Sequence, residues 1–190
     1  MRALALATAI TISLVVGGGG GFAAQAEQLK LKMVFVPASE KGDANDYGNL
    51  IKIIEKLTGY EIKFIKVTDY NAAVEAMRAG RADIGWYGGK SYILAAEHAD
   101  AEAFAAGIRK GDSDASYFAY FVVRSNSPMK SLKEARGKIL ALNTIGSTSG
   151  DLIPQVELVK FGLSTTNPRD FKQVFYAGSH DACLLSVINH

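Results

Sequence analysis

Three hydroxyl residues in a row, Ser147, Thr148 and Ser149, stand between Gly146 and Gly150, directly ahead of an apolar pattern at helical spacing (Leu152, Ile153, Val156, Val159). Pro154 has no N–H and is comfortable only in the first turn of a helix. The helix is therefore expected to begin near Gly150, with the three hydroxyls at its N-terminal mouth. The first N–H groups of a helix have no intrahelical partner, and the helix dipole is positive at that end. Hydroxyl donors, glycines that permit close approach and a positive helix end together suit an oxyanion. The plainer reading is a Ser/Thr N-cap behind a glycine turn, which needs only one hydroxyl.

A second group is Gly178-Ser179-His180-Asp181. An imidazole can donate to an oxyanion, whereas a neighbouring carboxylate can only accept. The pair would favour a ligand that still carries an acidic proton or an ammonium group. That separates a protonated phosphorus oxyanion from sulfate. The alternative is structural, with Ser179 capping a helix and Asp181 sitting favourably in its first turn. Tyr47 and Tyr87 are the remaining candidates. Tyr47 follows a loop expected to line a cleft, and Trp86-Tyr87 precedes Gly88-Gly89 at a strand end. A phenol there can donate to an anion while its ring packs on the ligand's carbon portion, with core packing as the rival role.

The residues argue against catalysis. A serine, His180 and an aspartate would make a hydrolase triad by composition, but the loop reads G-S-T-S-G and lacks the G-x-S-x-G elbow. Asp181 directly follows His180 and is an awkward orienting partner for that same imidazole. No cluster of His, Cys, Asp and Glu has metal-ligand spacing, and no cofactor is expected. Cys183 falls among apolar residues and reads as a small buried hydrophobe.

These residues need elements to position them. Residues 29–36 form a β-rich run closed by Pro37. A polar loop over 38–45 leads to an amphipathic helix with Tyr47, Leu50, Ile51, Ile54 and Leu57 on one face, ended by Gly59. Residues 61–67 alternate as a strand, and Thr68 or Asp69 can cap a helix that Gly80 stops. A short strand over 82–85 and a helix over 90–98 follow, with further strands expected over 101–106 and 117–124. The pattern then restarts with a short helix (131–135) and a strand (138–142). After the hydroxyl loop comes a helix to Phe161, stopped by Gly162, then a strand (171–176) and a last helix. Strands alternating with helices at short spacing mean an α/β fold with a mostly parallel sheet, whose ligands gather at the carboxyl ends of strands. A chain ending mid-helix at Asn189-His190 reads as truncated.

The 190 residues are 48% hydrophobic and 21% charged, a globular composition. Residues 1–26 read as a cleaved secretory signal: Arg2, an apolar core over 3–16, and Ala24-Gln25-Ala26 as the cleavage site. Gly17 to Gly21 break the apolar run, making it too short for a membrane span. Loss of Arg2 with the leader lowers the formal charge from +2 to +1. So balanced a charge gives no reason to expect nucleic acid or an anionic membrane as partner. A soluble, exported, periplasmic protein is expected.

The sequence resembles the PhnD-like periplasmic substrate-binding proteins of phosphonate, phosphite and phosphate ABC importers. The resemblance runs in order through Val36-Pro37, Tyr47, Leu57-Thr58-Gly59, Asp69-Tyr70, Ala79 to Ile84 and Trp86 to Ser91. It continues through residues 122–128, Gly146 to Pro154 and Ala177 to Ala182. The S-T-S-G-x-L-x-P loop followed by G-S-H-D-A is its specific part. The family implies a two-lobed type II periplasmic-binding fold, with lobe 1 over 27–120 and lobe 2 over 121–190, the latter cut short. By match, Ser147, Thr148 and Ser149 hold the phosphorus oxygens, His180 and Asp181 contact the same head group, and Tyr47 and Tyr87 approach it from the first lobe. Partners implied are a small phosphorus oxyanion and an inner-membrane ABC permease. A sensor of the same fold, signalling to a membrane kinase, is the alternative. Asp151 adds a negative charge beside the loop and is expected to point outward if the loop binds an anion.

Overall fold

A computed structural model describes residues 29–37, 44–108 and 110–189. The expected leader, most of the loop expected over 38–45, and His190 lie outside the described residues. The elements run β1 (Lys30–Phe35), α1 (Ala44–Thr58), β2 (Glu61–Ile65), α2 (Tyr70–Arg78), β3 (Ile84–Trp86) and α3 (Gly89–Ala99). After a 3-10 turn (Leu132–Ala135) come β4 (Ile139–Leu142), a π turn (Thr148–Leu152), α4 (Ile153–Lys160), β5 (Gln173–Tyr176) and α5 (His180–Asn189).

Two parallel sheets result. The first has the order β2-β1-β3, with Met33 facing Phe64 on one side and Ile84 on the other. The second pairs β4 with β5, Leu142 opposite Tyr176. β1 is central, and helices cover both faces of its sheet, which is why its second half, Met33 to Phe35, is a buried apolar run after Lys30 and Lys32. Met33 and Phe35 pack with Ile51 of α1 and Ile62. Val34 and Val36 pack on the other face with Tyr70, Ala73 and Ala76 of α2. Each fully buried Val or Phe here contributes about 1.5–3 kcal/mol. In the second unit Leu158 and Leu163 join Phe171 and Ala135, with Leu140 and Val174 against them.

The caps read from sequence are present. Asp69 Oδ1 accepts the Ala72 N–H at 2.8 Å, opening α2. Two expected strands are not. Residues 101–106 and 117–124 run as exposed, irregular chain. Four of the six residues in the first are Ala, a poor strand former. The second has β-prone residues but no strand beside it among the described residues, and a strand exists only through its ladder partner. The strand expected at 82–85 lies slightly later, at Ile84–Trp86.

Candidate functional site

The hydroxyl loop closes on itself. Ser147 is buried, and its Oγ accepts the Gly150 N–H at 3.1 Å as the N-cap of the turn. The Leu152 N–H then reaches back five residues to the Ser147 carbonyl at 3.1 Å, and Ile153 N–H reaches the Thr148 carbonyl in the same way. This is a π turn, a form that recurs at functional sites. The helical path thus opens at Thr148, two residues before the expected start, and Ser149 lies half-buried in its first turn.

Pro154 explains what happens next. Having no N–H, it leaves the Gly150 carbonyl without its i+4 donor. The Asn143 N–H, one residue beyond β4, fills that acceptor at 2.9 Å. The Asn143 carbonyl in turn accepts the Gly178 N–H at 2.9 Å. One residue at the carboxyl edge of β4 therefore holds the loop before α4 and the loop before α5 side by side.

The first unit meets this loop directly. Thr148 Oγ1 accepts the Lys90 N–H at 2.9 Å, capping α3 from outside its own unit. Glycine makes the approach feasible, since a Cβ on Gly88 would lie 3.1 Å from that Oγ1. Gly146, at φ +108, lets the loop pass Tyr70 at the start of α2, where an added Cβ would be 2.9 Å from the Tyr70 Cβ. Burial pushes the Tyr70 phenol up, opposed by a hydrogen bond with Ser147. The N-termini of α2, α3 and the π turn thus meet at Gly146 to Thr148, and the loop before α5 is tied to the end of β4 through Asn143. Three positive helix ends gathered at one hydroxyl loop make a place where negative charge is stabilised.

Asp151 corrects an expectation. It does not point outward; it is buried, with every contact satisfied. Its Oδ2 pairs with Lys90 Nζ at 2.5 Å, and its Oδ1 accepts from Gln155 Nε2 at 2.6 Å and Tyr176 OH at 3.0 Å. The cation beside it makes this burial tolerable, a partner that no local sequence pattern announces.

His180 is the first residue of α5 and half-buried, and burial lowers its imidazole pKa against the opposing pull of Asp181. Asp181 is exposed in the first turn. Ser179 is the cap the alternative reading required, its Oγ accepting the Ala182 N–H at 3.0 Å. Tyr47 stacks on Phe35 with ring centroids 4.0 Å apart, and its hydroxyl donates to the Val36 carbonyl at 3.5 Å. Tyr87 donates to the Ala73 carbonyl at 3.1 Å, and burial pushes its phenol up to about 12. The Tyr87 proton is thereby committed to a backbone carbonyl. Two polar groups escaped the sequence reading. Both side-chain amide atoms of Asn143, and Thr144 Oγ1, are buried without a hydrogen-bond partner. An Asn-Thr pair directly after a strand and before a glycine loop is the signal that could have drawn attention to them. Cys183 is half-buried rather than buried, and burial raises its thiol.

Residues 33–190 match the family described as ABC transporter, phosphonate, periplasmic substrate-binding protein. The phosphate-import protein PhnD of Mycolicibacterium smegmatis is 30% identical over 166 residues, covering 84% of this chain and 52% of that protein. The phosphonates-binding periplasmic protein of Escherichia coli is 30% identical over 141 residues, covering 72% of this chain and 40% of that protein. Among solved structures, a binding-protein component of an ABC phosphonate transporter from Pseudomonas aeruginosa superposes with a TM-score of 0.75 at 25% identity, covering 86% of this chain and 55% of that one. The chain spans about half the length of the curated relatives it matches.

Proposed function

Because the chain belongs to the family of periplasmic substrate-binding proteins of phosphonate ABC transporters, and has the two-lobed type II α/β fold of its solved relatives, we propose that it captures a phosphorus oxyanion and delivers it to an inner-membrane permease. Phosphonate, phosphite and phosphate are the candidate cargoes. The observation that carries this reading is the convergence of helix N-termini on Ser147 and Thr148. A tetrahedral anion placed there meets main-chain N–H groups and hydroxyls, and no bond in it need be made or broken.

Ser147, Thr148 and Ser149 would donate to the phosphorus oxygens. Thr148 Oγ1 already accepts a main-chain N–H, so its own proton is free for a ligand. His180 and Asp181 would meet the same head group from the start of α5, the carboxylate selecting a ligand with a proton or an ammonium to give. Tyr47 and Tyr87 would turn their hydroxyls from the Val36 and Ala73 carbonyls to the ligand. The leader over 1–26, periplasmic delivery, and a division into lobes at about residue 120 belong to the same proposal.

Calorimetric titration of the complete gene product tests it, with 2-aminoethylphosphonate, methylphosphonate, phosphite, phosphate and sulfate as titrants. Saturable heat from a phosphorus oxyanion, with none from sulfate, is the expected result. A folded protein that takes up none of the four phosphorus compounds would sink the proposal.

A further inference from the structure

Asp151 poses a problem for any anion site at Ser147 to Ser149. A buried carboxylate in the first turn of the same helical segment repels the charge the loop is built to attract. The structure answers with Lys90, which comes not from the second unit but from the start of α3. Its Nζ lies 2.5 Å from Asp151 Oδ2, while its own N–H holds Thr148 Oγ1 at 2.9 Å. Asp151 is 1% exposed, and the Lys90 side chain 24%. Tyr176 and Gln155 occupy the other carboxylate oxygen. The remaining oxygen is left for a partner from the opposite unit.

We propose that Lys90 is an affinity-determining positioning residue for the oxyanion site: crossing from the first unit, it neutralises Asp151 and fixes Thr148. Oxyanion affinity thereby depends on the two units being in contact. This inference rests on the oxyanion reading above. When the units part, Lys90 leaves, and Asp151 faces the loop as an uncompensated charge. When they meet, that charge is cancelled, and the Thr148 hydroxyl is oriented by the same residue. The anion and the closed arrangement then favour each other, as two linked equilibria must.

The pair differs from a ligand contact in one measurable way. If Lys90 acts by cancelling Asp151, removing both should cost little. K90M is expected to weaken binding of the best phosphorus oxyanion by at least about tenfold, since the unpaired charge acts in a partly desolvated site. K90M/D151N is expected to bind within about threefold of the unaltered protein, and D151N no more weakly than it. A K90M protein that binds normally, or a double variant as weak as K90M, would overturn the proposal. If K90M does not fold, D151N and K90M/D151N decide alone, with a tenfold loss in the double variant as the overturning result. Denaturant unfolding of the four ligand-free proteins supplies an independent arm. Energetic coupling between positions 90 and 151, combined with no oxyanion binding by the unaltered protein, would mean that the function reading has failed and the pair stands. Absence of coupling would remove the pair itself.

Discussion

The main-chain N–H of Asn143 donates to the carbonyl of Gly150 at 2.9 Å, taking the acceptor that Pro154 cannot use. A residue known for stopping hydrogen bonds thus creates one, and it ties the mouth of α4 to the end of β4. The approach is close enough that a Cβ on Gly150 would lie 2.3 Å from the Asn143 Cβ.

Gly150→Ala is therefore expected to destabilise the protein by about 1–3 kcal/mol, the ordinary cost of overpacking a tight site. Oxyanion binding should fall with it, because the same hydrogen bond holds the hydroxyl loop. Denaturant unfolding followed by titration checks both. Unchanged stability would mean that the backbone at Asn143 yields freely.

Ser147 and Ser149 should separate stability from binding. Ser147→Ala removes a buried cap, at a cost of about 1 kcal/mol, as well as a proposed ligand contact. Ser149→Ala removes a half-buried hydroxyl that is not the cap, so its stability should stay within about 0.5 kcal/mol while affinity drops. Thermal unfolding and titration of the two variants in parallel make the comparison. A Ser149→Ala protein with full affinity would restrict the ligand set to Ser147 and Thr148.

Tyr87→Phe should cost about 0.5–1.5 kcal/mol of stability, the net worth of its hydrogen bond to Ala73. Its loss of affinity should be smaller than that of Ser149→Ala. For Tyr87 to serve the ligand it must surrender an existing bond, so binding trades one partner for another. Calorimetry on both variants under one buffer decides it; an equal or larger loss at Tyr87 would show that its phenol reaches the ligand without that exchange.

His180 sets a pH dependence. Burial holds its folded-state pKa below the ordinary 6.5. Between that lowered value and 6.5 the unfolded chain binds more protons, so stability rises with pH through this window and is fully present above 6.5. An oxyanion beside the ring favours the imidazolium, so binding should take up a proton at His180 and tighten as pH falls through the same range. Titrations at several pH values, with His180→Gln as control, separate this from titration of the ligand itself. A profile that His180→Gln leaves unaltered would remove the imidazole from the site.

Much of this protein could be read along the chain because the signals are local. Hydrophobic period and caps located α1 to α3, α4 and α5 to within a few residues, and Gly146 to Pro154 announced a helix mouth, which opens at Thr148. The irregular course of residues 117–124 was not legible: their β-prone side chains describe a preference, and only a neighbouring strand can turn preference into a ladder. The direction of Asp151 was not legible either. On its own helix a carboxylate beside an anion loop should face water; it turns inward because Lys90, 61 residues earlier, supplies the cation that makes burial tolerable. Sequence by itself determined the helix mouths and their hydroxyls, since caps and dipoles depend on residues within one turn. Only tertiary structure decided which mouths face one another and which charges cancel, since Coulomb interactions and hydrogen bonds act through space and take no account of separation along the chain.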